Sequence, residues 1–330
     1  PKTFLTYYME HNCLCIWTLF CVSSYLKKVG RAITTTYTKI REGGLIIFIK
    51  TLRLLAAIAT LQLLSGCSAI IGSATQRLAD DLGSAILNSN DPAMVRDGAP
   101  AFLILIDSML NSNPNNPALL AQSAELLSSY AGAFVTEPER AKKMHNRAKR
   151  QILDSVCMTL DNGCNLTTVP YKEFELWVES QSNVPVLYNL GSVWAGWIQA
   201  SSDDFGAVAE LARVKSIMER VRDLDDSHAN GGVYLYLGVF DTLVPPGLGG
   251  KPEQGKAHFE RALEISDGRN LMVKVMYAEQ YARLIFDRDL HDSLLKEVLS
   301  SPADSVGLTL MNTVAQERAR GLMDTADEYF

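Results

Sequence analysis

Apolar residues recur at intervals of three and four along most of the chain beyond residue 74, and few stretches alternate between apolar and polar residues. The first spacing lines one face of a helix, whereas a half-buried strand requires alternation. Capping signals interrupt the pattern at Asp91-Pro92, Asn116-Pro117 and Glu137-Pro138, and an N-cap followed by proline is typical of a helix start. The sequence therefore predicts an all-α protein with helices over residues 76–87, 92–110, 117–134 and 138–160.

Residues 231–265 give the strongest pattern, which predicts two helices packed back to back. Small and bulky residues follow each other as in a tetratricopeptide repeat, where small side chains let two helices approach closely. The matching positions are Tyr234, Leu237 and Gly238 on the first helix and Gly255, Phe259 and Ala262 on the second. We therefore expect residues 75–330 to form a single domain of helical hairpins, a TPR-like solenoid or superhelix.

The connection between these two helices is about five residues longer than in an ordinary repeat, and its prolines and glycines suit neither helix nor strand. We expect this connection to contact a partner protein or to form the entrance of a binding cavity. Its candidate residues are Pro245, Gly247, Leu248, Gly249, Gly250 and Lys251, together with His258 on the following helix. A phosphate loop is excluded because Pro252 follows the lysine and no strand precedes it. His258 has carboxylates nearby, which fits an acid/base role or a structural hydrogen bond.

Aromatic residues are concentrated over 171–199 and 234–236. Two interpretations stay open, since buried Trp and Tyr build cores and also line cavities with polar tips. The candidate cavity residues are Tyr188, Trp194, Trp197, Tyr234 and Tyr236.

Residues 45–66 have the order of a secretion signal, with Lys50 and Arg53 before an apolar stretch. Leu64-Ser65-Gly66-Cys67 resembles a lipobox, so we expect Cys67 to carry a lipid and residues 67–74 to form a linker. The alternatives are a signal peptide with an ordinary cleavage site and a short membrane anchor. Ser68 favours sorting to the outer membrane of a Gram-negative-type envelope. Residues 1–44 fit no part of this scheme and are interpreted as upstream sequence.

Cys157 and Cys164 are the thiols that remain after Cys67. Seven residues of continuous helix would hold them too far apart to bond, but a turn at Gly163 can bring them together, so a disulfide and two inert thiols both stay open. No histidine stands at ligand spacing, and we expect no metal. Common hydrolase and zinc-protease motifs are missing from the sequence, so we expect neither enzymatic activity nor a cofactor.

Charge narrows the choice of partners. The chain has 31 Lys and Arg residues and 37 Asp and Glu residues. Eight of the basic and two of the acidic residues lie in the first 66 positions, so the remainder has 23 basic and 35 acidic residues and a net charge of −12. Nucleic acids and anionic lipid surfaces attract basic patches, so neither is an expected partner. Residues 142–150 form a basic helix face, which we interpret as solvated or as a docking patch.

The run from Leu237 to Leu299, which contains LVPPGLGGKPEQGKAHFERALEI, resembles the TatT component family of TRAP (tripartite ATP-independent periplasmic) transporters. The similarity extends to Asp91-Pro92, to residues 187–197 and to the C-terminal AQERARGLMDTADEYF, and so covers most of residues 68–330. It implies a lipoprotein that works with a periplasmic substrate-binding protein, forms a homotrimer and encloses an apolar pore for a small hydrophobic or organic-acid ligand. The alternative function is a TPR-like scaffold in envelope assembly that binds only protein.

Overall fold

The computed structural model describes residues 51–53, 55, 81–243, 246–248 and 250–330. The chain divides into two units, Pro1–Ala79 and Asp80–Phe330. The described residues of the second unit form helices and turns without a strand, which confirms the all-α prediction. Residues 81–87 are helical and precede the first complete helix.

The remaining elements of the second unit follow one another with short connections. They are α1 (Pro92–Ser112), α2 (Pro117–Phe134), α3 (Pro138–Thr159), α4 (Tyr171–Ser180), α5 (Val184–Ala200), α6 (Phe205–Ala209), α7 (Leu211–Leu224), α8 (His228–Thr242), a 3-10 turn (Pro246–Leu248), α9 (Pro252–Ile265), α10 (Leu271–Met276), a π-helical turn (Tyr277–Ala282), α11 (Arg288–Ser300), α12 (Thr309–Asp324) and α13 (Ala326–Tyr329).

Side-chain caps and prolines fix the helix starts, as the sequence predicts. The Asp91 carboxylate accepts a hydrogen bond from the Met94 N–H at 2.9 Å, and the Asn116 side chain accepts one from the Leu119 N–H at 3.2 Å. Pro92 and Pro117 occupy the first turn, where a missing N–H costs nothing. The predicted starts of α1, α2 and α3 are confirmed, and their ends fall within two residues of the predicted ones.

The predicted hairpin is α8 and α9, and its small residues lie where the helices cross. A Cβ added at Gly238 would lie 2.8 Å from the Phe259 ring, and one added at Gly255 would lie 2.6 Å from a Thr242 methyl. Leu237, Phe259 and Ala262 are fully buried around this crossing. The close approach that the repeat pattern predicts is therefore present.

Helix contacts run through the second unit in chain order and then return to its beginning. Helix α2 packs on α1 and α3, α5 on α3 and α7, and α8 on α7 and α9. Beyond these, α9 contacts α10, α10 contacts α12, and α12 contacts α1. The Gly307 N–H donates to Asn88 Oδ1 at 2.8 Å, which joins the segments preceding these two helices. The helices thus form a closed circuit of contacts.

Three local features differ from the simple repeat pattern. The apolar pattern over residues 208–224 predicts one continuous helix. In the structure, α6 ends at Ala209 and α7 begins at Leu211. Near the start of α8, Ala229, Asn230 and Gly231 all have positive φ angles, of 52°, 56° and 76°. A π-helical turn, Tyr277–Ala282, directly follows α10. π-turns and left-handed non-glycine residues are both enriched at functional positions.

The basic face of α3 is largely engaged in ion pairs with other segments. Lys142 pairs with Asp203 at 3.1 Å, Arg147 with Asp107, and Lys149 with Glu210. Lys143 and Arg150 on the same face are less buried than Lys149 and extend toward solvent. The pairs tie α3 to α1 and to the residues around α6, so most of this face is part of the fold.

Candidate functional site

Three neighbouring helices bring polar and aromatic side chains together. Helix α2 supplies Glu125, α5 supplies Tyr188, Asn189 and Ser192, and α8 supplies Tyr236. The rings of Tyr188 and Tyr236 lie 6.0 Å apart in an edge-to-face arrangement, and Asn189 Nδ2 donates to Glu125 Oε2 at 3.4 Å. We name these five residues the tyrosine site.

Neighbouring protein shifts the pKa values of the tyrosine site. Neighbouring protein raises the pKa of the Glu125 carboxyl, although the residue is exposed to solvent. Burial, and to a smaller extent the charge of Glu125, raises the pKa of Tyr236 to about 12. Burial likewise raises the pKa of Tyr188, with smaller contributions from Tyr236 and Glu125. Glu125 is exposed and both tyrosines are half-buried, so the site lies at the surface, with the two rings partly covered by protein.

The left-handed turn at the start of α8 positions Tyr188. A Cβ added at Gly232 would lie 2.5 Å from the Tyr188 hydroxyl, so only glycine fits against it. The His228 ring meets the Tyr188 ring edge to face, with centroids 5.0 Å apart. Left-handed conformations of residues such as Ala229 cost about 1–3 kcal/mol each. The packing around this turn must therefore offset its backbone strain.

The five aromatic candidates from the sequence separate into different places. Tyr188 and Tyr236 meet in the tyrosine site. Trp194 is fully buried in the core cluster, and its indole N–H donates to Glu210 Oε2 at 2.6 Å. Trp194 thus offers no accessible surface in this structure.

The other two candidates are half-buried and contact groups outside the tyrosine site. The Lys149 ammonium lies 3.3 Å from the Trp197 ring centroid, and the Trp197 indole donates to Asn146 Oδ1 at 2.6 Å. The Tyr234 ring lies 5.7 Å from the His258 ring. The aromatic candidates therefore do not form one continuous wall.

The connection between α8 and α9 is described in part. Pro245 and Gly249 lie outside the described residues, whereas Gly250 is described and half-buried. Gly247 is exposed, and its Cβ position has no neighbour within 4 Å. The Lys251 N–H donates to the Asp241 carbonyl at 2.8 Å, which fastens the end of the connection to α8.

His258 belongs to a charge cluster beside this connection. Its Nε2 lies 3.4 Å from the buried Asp241 carboxylate, which also pairs with Lys215. Burial by itself would raise the pKa of Asp241, but the bonds from His258 and Lys215 outweigh it and lower that pKa. This arrangement supports the structural role that the sequence left open for His258, because its ring compensates a buried charge.

Cys157 and Cys164 are joined in a disulfide, with Cα atoms 4.3 Å apart. The chain leaves α3 at Leu160 and turns at Asn162, whose φ is 55°. A Cβ at Gly163 would lie 2.6 Å from the Val156 carbonyl oxygen, so glycine permits the reversal. The bond lies at the end of α3, outside the tyrosine site.

Neither a metal site nor a membrane span is present in the part of the chain that the structure describes. That part contains no group of three or more His, Cys, Asp or Glu side chains that could hold a metal ion. No helix within it is long and apolar enough to cross a membrane. Cys67 and the linker 67–74 lie outside the described residues, as does most of the signal segment 45–66.

Three residues of the tyrosine site, Glu125, Asn189 and Ser192, were not predicted from the sequence. One signal was available, since Glu125 is the only charged residue of α2. A single charge on an otherwise uncharged helix is the pattern that could have drawn attention to it. Asn189 and Ser192 carry no comparable signal, because polar residues of this kind are common on helices.

Comparisons with known proteins agree with the resemblance found in the sequence. A family model described as TRAP transporter T-component matches residues 88–330. An uncharacterised protein of Treponema pallidum (strain Nichols) is 22% identical over 271 residues, covering 76% of this chain and 84% of that protein. The family match includes every helix from α1 to α13 and all five residues of the tyrosine site. The chain therefore belongs to the TRAP transporter T-component family, an accessory family of transporters.

Proposed function

We propose that this protein is a periplasm-facing lipoprotein that assists a TRAP-type transporter by binding its periplasmic substrate-binding protein. In this proposal it also holds a small hydrophobic or organic-acid ligand in an apolar pore. Cys67 carries the lipid that anchors the chain to the periplasmic side of the outer membrane, and three copies associate. Membership of the T-component family supports the transporter role.

The observation that carries the ligand part is the tyrosine site, which three helices of the circuit form. Helix α5 contacts both α2 and α8, and the tyrosines of α5 and α8 combine apolar rings with hydroxyl tips. Aromatic walls with a few converging polar groups are typical of small-molecule sites.

Co-purification tests the partner. The tagged full chain, extracted in detergent, is mixed with the substrate-binding protein encoded beside a TRAP transporter of the same organism. We expect a complex that light scattering resolves as three copies of this chain with bound partner. The periplasmic binding protein of an unrelated transporter is the control. Absence of binding at about 100 µM, where weak transient pairs still associate, would contradict the proposal and favour the scaffold function.

A further inference from the structure

A cleft lies between α1, α2 and α3 and shares no residue with the tyrosine site. Its volume is about 450 Å³, within the range of about 300–1,000 Å³ that small-molecule sites have. Leu110 of α1, Leu120 of α2 and Gln151 of α3 line it and are buried. Asp107 of α1 and Arg147 of α3 also line it, and their side chains stay 36% and 37% exposed. The cleft therefore combines buried apolar side chains with accessible charges.

Asp107 and Arg147 form an ion pair in this cleft. The guanidinium donates to both carboxylate oxygens, with Nη1 2.9 Å from Oδ2. A guanidinium has more N–H groups than this pair uses, and each carboxylate oxygen can accept a further hydrogen bond. One positive and one negative group thus lie side by side, and both can bind a further partner.

The ion pair distinguishes between ligands by their charge. A lone anion or a lone cation in the cleft meets one like and one opposite charge at similar distances, so attraction and repulsion largely cancel. A zwitterion that lies antiparallel to the ion pair brings each of its charges to the opposite one, so both contacts are attractive. The cleft therefore favours a molecule that carries both charges.

Gln151 provides a second observation that points to a polar ligand. The residue is 9% exposed, and its Oε1 atom is buried without a hydrogen-bond partner among the described residues. Leaving such an acceptor unpaired lowers stability. The terminal amide can rotate about its last bond, which turns either its oxygen or its nitrogen toward the cleft. An ammonium group donates to the oxygen and a carboxylate accepts from the nitrogen, so the amide can pair with either end of a zwitterion.

We infer that this cleft binds a zwitterion with an apolar body, the chemistry of an aliphatic α-amino acid. Its carboxylate accepts hydrogen bonds from Arg147, its ammonium group donates to Asp107, and its side chain lies against Leu110 and Leu120. The inference goes beyond the proposed function, because it adds a second ligand at a separate site.

Three probes with the same branched apolar body but different charges test the inference: leucine, 4-methylpentanoate and 3-methylbutylammonium. Calorimetric titration of the detergent-purified full chain at pH 7.5 is expected to show leucine binding at least about tenfold more tightly than either ion, because only leucine pairs with both charges. Glycine, which lacks the apolar side chain, is expected to bind about tenfold more weakly than leucine.

Neutralising one member of the ion pair is expected to change the preference in opposite directions. Asp107→Asn leaves the guanidinium, so 4-methylpentanoate is expected to bind more tightly than 3-methylbutylammonium. Arg147→Gln leaves the carboxylate, so the reverse order of the two ions is expected. A purely structural role of the pair would affect all three probes alike. Arg140→Gln is the matched control on α3, because Arg140 pairs with Glu137 at 3.8 Å on exposed surface, and it is expected to keep the preference for leucine.

Equal binding of the three probes, tighter binding of either ion, or no measurable binding of leucine at millimolar concentration would overturn the inference. The same order of the two ions in both variants would also overturn it. The probe comparison uses the unmodified protein, so it tests the inference even where a variant does not fold. Each of these results would leave capture of the substrate-binding protein unaffected, so failure of this inference can be distinguished from failure of the proposed function.

Discussion

Glu125 gives a prediction about stability that needs no ligand. Its pKa is raised in the folded protein by burial, so the folded state favours the protonated carboxyl more than the unfolded chain does. The ionised form therefore destabilises the fold at pH values above this raised pKa, and the penalty disappears as pH falls below the ordinary glutamate value. Glu125→Gln is expected to raise the Tm at pH 7.5 only slightly, by about one degree, since the side chain is exposed and water screens the charge.

Thermal melts from pH 3.5 to 8 measure this effect. The difference between Glu125→Gln and the unmodified protein is expected to shrink toward zero at the acidic end. Glu175→Gln, on α4, serves as the matched change at a glutamate outside the tyrosine site. A Tm that falls at pH 7.5, or a difference that does not change with pH, would show that the carboxylate has a stabilising partner in solution.

Among individual residues, the sequence predicted part of the candidate site. Tyr188 and Tyr236 were selected as aromatic residues with polar tips, and they meet. Trp194 was selected by the same criterion but is fully buried. Periodicity could not separate these cases, because cavity walls and cores both use apolar positions of a helix. Only the packing of α2, α5 and α8 decides which ring keeps accessible surface.

At the scale of elements, the starts of helices were the most predictable feature, because a cap and a proline act within four residues of chain. The break between α6 and α7, the left-handed turn at Ala229–Gly231 and the π-turn were not predicted. Each interrupts an apolar pattern that continues across it. Tertiary contacts, such as Gly232 against the Tyr188 hydroxyl, select these conformations, and local sequence does not encode them.

The crossing of α8 and α9 allows a test of the small-residue requirement. Gly255→Ala places a methyl group 2.9 Å from the Gly238 carbonyl oxygen and 2.6 Å from a Thr242 methyl. The helices must then separate, and overpacking of this kind costs about 1–3 kcal/mol, which exceeds the helix propensity that alanine adds. We expect a net loss of stability, measured by urea unfolding.

Gly321→Ala on α12 is the matched control, because nothing lies within 4 Å of its Cβ position. There the same substitution is expected to stabilise by about 0.5–1 kcal/mol through helix propensity alone. If both variants gained stability equally, the crossing would be looser than the structure indicates and the repeat interpretation of this hairpin would lose its physical basis.

At the scale of the molecule, the sequence pattern predicted hairpins that stack along the chain, and the regular solenoid stays a prediction. The return of α12 to α1 could not be predicted, because it joins residues that are far apart in the chain. Its hydrogen bond, from the Gly307 N–H to Asn88 Oδ1, involves residue types that carry no long-range signal.

The closure of the helix circuit can be tested at Asn88. Asn88→Ala removes the acceptor for Gly307, while Asn88→Asp keeps an acceptor oxygen and loses the donor to the Ser84 carbonyl, a bond of 2.8 Å. Losing one such bond costs about 1 kcal/mol. The protein is therefore expected to stay folded, with a weaker contact between the segments that precede α1 and α12. Hydrogen exchange by mass spectrometry is expected to show faster exchange in both α1 and α12 for Asn88→Ala, and near-normal exchange there for Asn88→Asp. Helix α7, which lies midway in the circuit, is expected to be unchanged in both. If α1 alone responds, or if the two variants behave alike, the ends of the circuit are not coupled through this contact, and the helices form an open row in solution.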